Sequence, residues 1–299
     1  MPKSLKPINQ QVIVITGASS GIGLCTAETA ARQGAKLVLS SRSKEIMGRL
    51  VEGMNTNGTV AIHVTADVAD RDQVQAIADA AIAQFGRIDT WINNAGVSIF
   101  GRLDEVTEAD SRRLFDTNFW GLVNGSLVAL PHLKKRGGAL INIGSEVSEA
   151  VIPLQSMYSA SKHAVKGFTD GLRIEIEELD KAPVSITLVQ PTATDTPFPE
   201  NARNYMAHEP QLPTPQSDPQ DVADAILQAA VTPTHHVKIG MAKLNTAMAN
   251  FVPVLADKMA AQQAKRQQLD ESPVNPEGTL NRPGHRGRVY GINHPSNNG

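Results

Sequence analysis

The sequence predicts an α/β protein in which a doubly wound, mostly parallel sheet forms a single domain, followed by a C-terminal helical extension and a tail. Three observations carry this. Short runs of β-branched and aliphatic residues, such as Gln11–Ile15 (QVIVI), Lys36–Ser40 (KLVLS) and Ala139–Ile143 (ALINI), read as strands buried on both faces. Helical patterns with recognisable start and stop signals alternate with those runs. The chain has 299 residues, 41% hydrophobic and 19% charged, which suffices for one large core.

Residues 1–10 read as a polar arm. The first strand, Gln11–Ile15, runs into Thr16-Gly17-Ala18-Ser19-Ser20-Gly21-Ile22-Gly23 and a helix to about Arg32, stopped by Gly34. Strand two, Lys36–Ser40, completes a βαβ opening. Ser43 is placed to cap a helix that leaves through Asn57-Gly58. Val60–Thr65 is strand three, and Asp70 with Gln73 forms a capping-box-like start to a helix ending near Gly86. Asp89–Asn93 is strand four. A helical region from Thr107 to Arg136 ends at Gly137-Gly138, before strand five at Ala139–Ile143. A long helix over Met157–Leu179 shows apolar residues at Ala164, Phe168, Leu172 and Ile176, one stripe at helical spacing. Strand six is Val184–Val189.

Six prolines between Pro191 and Pro215 make a continuous helix or strand there improbable, and a loop of this length fits a lid over a binding site. Asp218-Pro219 restarts a helix to about Val231. His236–Ile239 is the last strand, closing the domain at residue 240. Residues 241–272 form the helical extension, helical from Lys243 to about Gln268 and interrupted near Pro253. Its apolar patch at Phe251–Leu255 is expected to pack on the core, ahead of an oligomer interface or a membrane surface. Residues 273–299, rich in Pro, Asn, Gly and Arg, read as an extended or disordered tail. The alternation of strands and helices implies right-handed crossovers and a Rossmann-type domain, 11–240.

Bulk properties exclude several classes. A net charge of −2 gives no reason to expect nucleic acid or an anionic membrane. No run of apolar residues is long enough to span a bilayer. The start MPKSLKPINQ has no signal-peptide core. The one cysteine, Cys25, is compatible with a cytoplasmic location and reads as a small core residue. No His/Cys spacing suggests a metal.

Two motifs carry chemistry. Glycines 17, 21 and 23, directly after a buried strand, suit close approach of the backbone to a dinucleotide pyrophosphate at a helix N-terminus. At the end of strand two, Ser40-Ser41-Arg42-Ser43 has no carboxylate for ribose hydroxyls. The Arg42 guanidinium instead suits a 2′-phosphate, which predicts NADP(H). Tyr158 and Lys162 stand four apart on one helix face. A neighbouring ammonium favours the phenolate, so the pair suits proton exchange with a substrate oxygen. Alone, the pair also describes an ordinary helix opening with a half-buried tyrosine and a snorkelling lysine.

Together, these residues make the chain, over about residues 8–240, resemble the short-chain dehydrogenase/reductase family. Thr16–Gly23 resembles its T-G-x-x-x-G-x-G motif, Asn93-Asn94-Ala95-Gly96 its N-N-A-G, and Tyr158–Lys162 its Y-x-x-x-K. The resemblance implies a catalytic set of Ser145, Tyr158, Lys162 and Asn118, the last holding a proton-relay water. It implies cofactor contacts at Gly17, Ser19, Ser20, Gly21, Ile22 and Gly23, and at Ser41 and Arg42. Further contacts follow at Asp67 and Val68, at Asn94, Ala95 and Gly96, at Tyr158 and Lys162, and at Pro191 and Thr196. Gly144 stands where many relatives carry serine, and Thr192 and Thr194 replace the glycine and aliphatic residue usual after Pro191. No residue-level match covers the last sixty or so residues. The function implied is hydride transfer between NADP(H) and a carbonyl or secondary alcohol, in a homodimer or homotetramer built on helices 111–135 and 157–179. A non-catalytic NADP(H)-sensing protein on the same frame is the alternative, which an intact proton relay disfavours.

Overall fold

The first strand, β1 (Val12–Thr16), is buried at every residue, as its unbroken aliphatic run requires of a central parallel strand. The computed structural model describes residues 5–292 and 294. Parts of the expected arm (1–10) and tail (273–299) therefore lie outside the described residues. From β1 the chain passes through α1 (Gly21–Arg32), β2 (Lys36–Ser41), α2 (Lys44–Thr56), β3 (Val60–Thr65), α3 (Arg71–Phe85) and β4 (Thr90–Asn93). The second half holds β5 (Ile99–Phe100), α4 (Glu108–Phe115), a π-helical turn over Asp116–Trp120, α5 (Gly121–Arg136) and β6 (Gly138–Ile143). Then come α6 (Ser156–Arg173), a second π-helical stretch to Leu179, β7 (Val184–Gln190), α7 (Phe198–Asn201), β8 (Arg203–Asn204), α8 (Pro219–Ala229) and β9 (His236–Lys238). The extension is α9 (Ala242–Phe251) and α10 (Pro253–Gln263), with Pro253 at the first turn of the second helix.

Seven strands form one parallel sheet in the order β3-β2-β1-β4-β6-β7-β9. Alternate residues of the strands point to opposite faces, so two apolar layers result. One packs Ile13, Ile15, Leu37 and Leu39 against Ala27 and Ala30 of α1 and Val222 and Ile226 of α8. The other packs Val12, Val14, Trp91 and Leu140 against Val74 and Ile77 of α3, Leu133 of α5 and Leu172 and Ile176 at the end of the α6 helical run. The strand order reverses between β1 and β4. The crevice there, at the carboxyl ends of the strands, is where open α/β sheets bind ligands.

Four features differ from the sequence reading. The helical region 107–136 is divided by the π turn, which carries Asn118. The inward face of α6 keeps Leu172 of the predicted stripe, with Ile176 buried just beyond, but otherwise takes Val165 and Thr169; Ala164 and Phe168 are only half-buried. Thr169 belongs to that face because its hydroxyl accepts from the buried Asn142 amide (3.0 Å) while donating to the Val165 carbonyl (2.7 Å). The proline-rich loop adds α7 and a two-stranded β5–β8 sheet. Lastly, Phe251, Val252 and Val254 of the expected core-packing patch are exposed, Phe251 by 84%.

Among the described residues the tail has no helix or strand, yet it is tied to the body. The Thr279 amide donates to the Asn201 carbonyl (2.7 Å), and the Asn204 amide donates to the Pro276 carbonyl (2.8 Å). Leu280 is fully buried among Val97, Ile99 and Leu114. Proline and glycine prevent a ladder of the tail's own, so its backbone groups find partners on the domain.

Candidate active site

The site starts at the turn between β1 and α1. Gly17 has φ +67°, a conformation glycine enters without penalty. At Gly23 a Cβ would stand 2.3 Å from the Gly17 carbonyl oxygen and 2.4 Å from the Asn94 amide nitrogen, so no other residue fits. Asn94 binds this turn to β4, its Nδ2 donating to the carbonyls of Thr16 and Gly17 (3.1 Å each). Asn93 braces the sheet beneath. Its Nδ2 donates to Asn142 Oδ1 (2.9 Å) and Ser126 Oγ (3.0 Å), and its Oδ1 accepts from the Trp91 indole (2.8 Å). A buried polar network so fully paired holds the strand ends in one arrangement.

At the end of β2 the Arg42 guanidinium reaches across the cleft to the tail, donating to the carbonyls of Leu280 (3.0 Å) and Thr279. The predicted phosphate ligand thus already has two carbonyl partners. Asp67, after β3, pairs with Arg113 of α4 and accepts from the Ala69 amide (3.1 Å). Arg113 also donates to the Leu280 carbonyl (3.4 Å).

The other end of the cleft gathers the groups with chemistry. Ser145 follows β6 and caps a short 3-10 turn, its Oγ accepting from the Val147 amide (3.3 Å). It shares the cleft with Tyr158, and its side chain favours the phenolate there. Lys162, one helical turn beyond Tyr158, is buried and donates to the Ile143 carbonyl (2.8 Å), with its Nζ 5.7 Å from the centroid of the Tyr158 ring. Burial pushes the lysine down to about 8. Burial also holds the Tyr158 phenol above its ordinary value, against a lowering by the Ser145 side chain, and the Glu146 carboxylate adds to the rise. The lowering expected of Lys162 does not set the net direction. Desolvation outweighs it, and the ammonium points at a carbonyl. Tyr158 accordingly keeps its proton at neutral pH.

Asn118 is buried in the π turn. Its Oδ1 accepts from the Val97 amide (2.8 Å), and its Nδ2 donates to the Val97 carbonyl (2.9 Å) and Ser161 Oγ (3.1 Å). Its side chain ties the π turn to the loop after β4 and to α6, and all of its amide groups have protein partners. The loop after β7 closes the cleft. Its Pro191 carbonyl accepts from the Glu146 amide (2.9 Å), and Thr196 lies against Gly21.

One cleft connects these parts. It is lined by Gly17, Ser19–Ile22, Ser41–Ser43, Ala66–Val68, Asn94–Gly96, Ser145, Tyr158, Lys162, Pro191 and Thr196. Of the predicted site residues, Gly23 and Asn118 lie behind its wall, packed on Gly17 and Val97. An elongated groove of this make-up fits a dinucleotide, with backbone amides of the α1 N-terminus at its middle, a guanidinium at one end and an ammonium at the other.

Segments whose sequence places them around a substrate, 146–155 and the loop with Phe198, also line the cleft, and so do tail residues. Glu146 has its carboxyl raised by burial, against hydrogen bonds from Asn245, Thr192 and Ala193. Being adjacent to Ser145, it had a signal in its position. Gln155 and Ile152 also line the cleft, and Phe198 lies 5.4 Å from the Tyr158 ring, centroid to centroid. From the tail, Thr279, Pro283, Gly284 and Arg286 line it, and these had no sequence signal at all. Cys25 is buried, its thiol pushed up to about 11 by burial, and is inert. Among the described residues no His/Cys/Asp/Glu group is arranged to hold a metal, and no helix is long and apolar enough to cross a membrane.

Comparison with known proteins agrees with this geometry. The short chain dehydrogenase family matches residues 11–207. An uncharacterized oxidoreductase of Bacillus subtilis, YxnA, is 44% identical over 276 residues, 91% of this chain and 77% of its own. That match extends well past residue 207 into the C-terminal extension. Among solved structures, a short-chain dehydrogenase/reductase of Burkholderia phymatum in complex with NAD superposes with a TM-score of 0.73 at 27% identity, covering 91% of this chain and 99% of that one. An alcohol dehydrogenase of the archaeon Thermococcus sibiricus, complexed with 5-hydroxy-NADP, has a TM-score of 0.68 at 25% identity and covers 77% and 95%.

Proposed function

The chain belongs to the short-chain dehydrogenase/reductase family of oxidoreductases, and from that premise we propose that it reduces a carbonyl, or oxidises the matching secondary alcohol, with NADP(H). The observation that supports this most is the meeting of Ser145, Tyr158 and buried Lys162 in one cleft that begins at the glycine turn. NADP(H), when bound, supplies or accepts the hydride. The chain's own residues do the rest. Ser145 donates a hydrogen bond to the substrate oxygen and stabilises the negative charge that develops there. Tyr158 gives its phenolic proton to that oxygen in reduction and takes it back in oxidation. The Lys162 ammonium stabilises the phenolate left behind. Asn118 acts as a positioning residue: it fixes Val97 and Ser161 around the pair, and any relay water is held through its main chain, since its amide is occupied.

The preference for NADP(H) rests on Arg42 at the end of β2, where no carboxylate competes. Its two carbonyl partners leave further guanidinium donors for a phosphate. A substrate of apolar or mixed character suits a pocket with Ile152, Phe198, Leu212 and Val97 in its wall and Gln155 as a polar contact. Copies of the chain pair through α5 and α6, a reading supported by Trp120 just before the first, Leu127 on it, and Ile174 and Leu179 after the second, all exposed.

The test follows NADPH and NADH absorbance against a panel of ketones, aldehydes and secondary alcohols. Tyr158→Phe is expected to lose activity by about 10²–10⁴-fold while binding NADPH as wild type does. A phenylalanine variant as active as wild type removes the proposed acid–base role. Arg42→Asp is expected to weaken NADPH more than NADH; equal effects on both remove the basis for the NADP(H) preference.

A further inference from the structure

The tail crosses the cleft between two anchors. At the first, Thr279 donates to the Asn201 carbonyl, Leu280 is buried, and Arg42 and Arg113 hold the carbonyls of Thr279 and Leu280. At the second, the Arg288 carbonyl accepts from the Gly21 amide at the start of α1 (3.0 Å), and the Arg288 guanidinium pairs with Glu200 of α7. The Ile292 amide donates to the same glutamate (2.8 Å), the Gly291 amide to Asp195 (3.3 Å), and the Tyr290 hydroxyl to Asp218 (3.2 Å). Between the anchors lie residues 282–286, Arg-Pro-Gly-His-Arg, of which Pro283, Gly284 and Arg286 line the same cleft as Ser41–Ser43 and Ser19–Ile22.

We infer that residues 279–292 form the outer wall of the dinucleotide site and that Arg286 is a ligand for an anionic phosphate of the cofactor. The inference rests on the cofactor reading above and goes beyond it. Its physical basis is threefold. The segment is held by contacts to both sides of the cleft, so a dinucleotide in the groove leaves only when one anchor opens. Arg286 brings a cation to the cleft with one loose partner, Glu200 at 3.5 Å, and its side chain is 59% exposed, which leaves donors for a phosphate. The next residue places it beside the glycine turn: a Cβ on Gly287 would stand 3.8 Å from the Ser19 carbonyl oxygen and 2.8 Å from Ile46. The wall also reaches the chemistry. Leu280 shares an apolar cluster with Tyr158, and Glu200 and Asn201 belong to the helix that sets Phe198 against the Tyr158 ring.

The experiment measures NADPH dissociation from the full chain by displacement, read by nicotinamide fluorescence, for wild type, Arg286→Ala, Arg288→Ala and Arg136→Ala. Arg136, at the end of α5, is exposed, does not line the cleft, and serves as the control. Release is expected to quicken about tenfold or more in the first two variants and to stay at the wild-type rate in the control. For Arg286→Ala alone, the salt dependence of NADPH affinity also becomes shallower. Wild-type release rates in both Arg286→Ala and Arg288→Ala overturn the inference and leave the cofactor reading standing. A full chain that binds neither NADPH nor NADH overturns both. Should the variants fold poorly, hydrogen exchange in the wild-type chain decides: amides of 279–292 gain protection about tenfold or more on saturation with NADPH, and unchanged protection overturns the wall.

Discussion

Lys162 carries the clearest conflict between stability and function. Its side chain is buried with one carbonyl partner, and its pKa falls from 10.5 to about 8. A folded-state pKa below the unfolded one means that the unfolded chain binds the proton more tightly. The penalty is then fully present below pH about 8, on the order of 3 kcal/mol, and fades as pH rises toward the unfolded value. Lys162→Met is therefore expected to stabilise the fold at pH 7 by about 1–3 kcal/mol while abolishing turnover. A fall in melting temperature would contradict this account of the buried charge. The same titration predicts the pH profile. With Tyr158 protonated well past neutrality, reductive kcat should decline as pH rises through about 8 and Lys162 loses its charge. A kcat that is flat from pH about 6 to 10 counts against Lys162 as the stabiliser of the phenolate.

At the scale of elements, the site depends on helices lying very close to strand ends. Gly125 of α5 shows how close: a Cβ there would stand 2.0 Å from Asn93 Oδ1 and 2.9 Å from the Trp91 indole nitrogen. Gly125→Ala should force α5 away from β4, break the Asn93 network and cost about 3 kcal/mol or more, read as a lowered denaturation midpoint. An unchanged midpoint would mean that the network relaxes freely. The elements themselves were legible because each strand and helix repeats a local period. Asp70 caps α3 through the amides of Asp72 and Gln73, and Asp218-Pro219 opens α8, both as their residue types predict. The α6 stripe is right at Leu172 and Ile176 but not at its start, because an apolar count ignores a threonine that satisfies its hydroxyl internally. The π turn at Asp116–Trp120 leaves no mark on hydrophobic spacing.

At the scale of the molecule, two surfaces extend beyond the domain. The exposed Trp120, Leu127, Ile174 and Leu179 predict association, so light scattering should give a dimer or tetramer for the full chain. Trp120→Glu combined with Leu179→Glu should shift it toward monomer, and a monomeric wild type would end the pairing proposal. Opposite in character is the tail, whose composition suggested an extended or disordered segment. It folds because Leu280 finds a pocket and its carbonyls find Arg42 and Arg113, guanidinium groups that the domain places on the cleft rim.

By itself the sequence determined the parallel sheet, the crevice at its carboxyl ends, and the Tyr158–Lys162 pair one helical turn apart. These follow from local periods and from glycine's conformational freedom, which act within a few residues of chain. Tertiary structure alone decided the charge states at the pair, because burial is set by neighbours distant in sequence. It also decided what Arg42 touches and how the tail lies over the cleft, since an irregular segment has no period to read and takes its path from the surface that receives it.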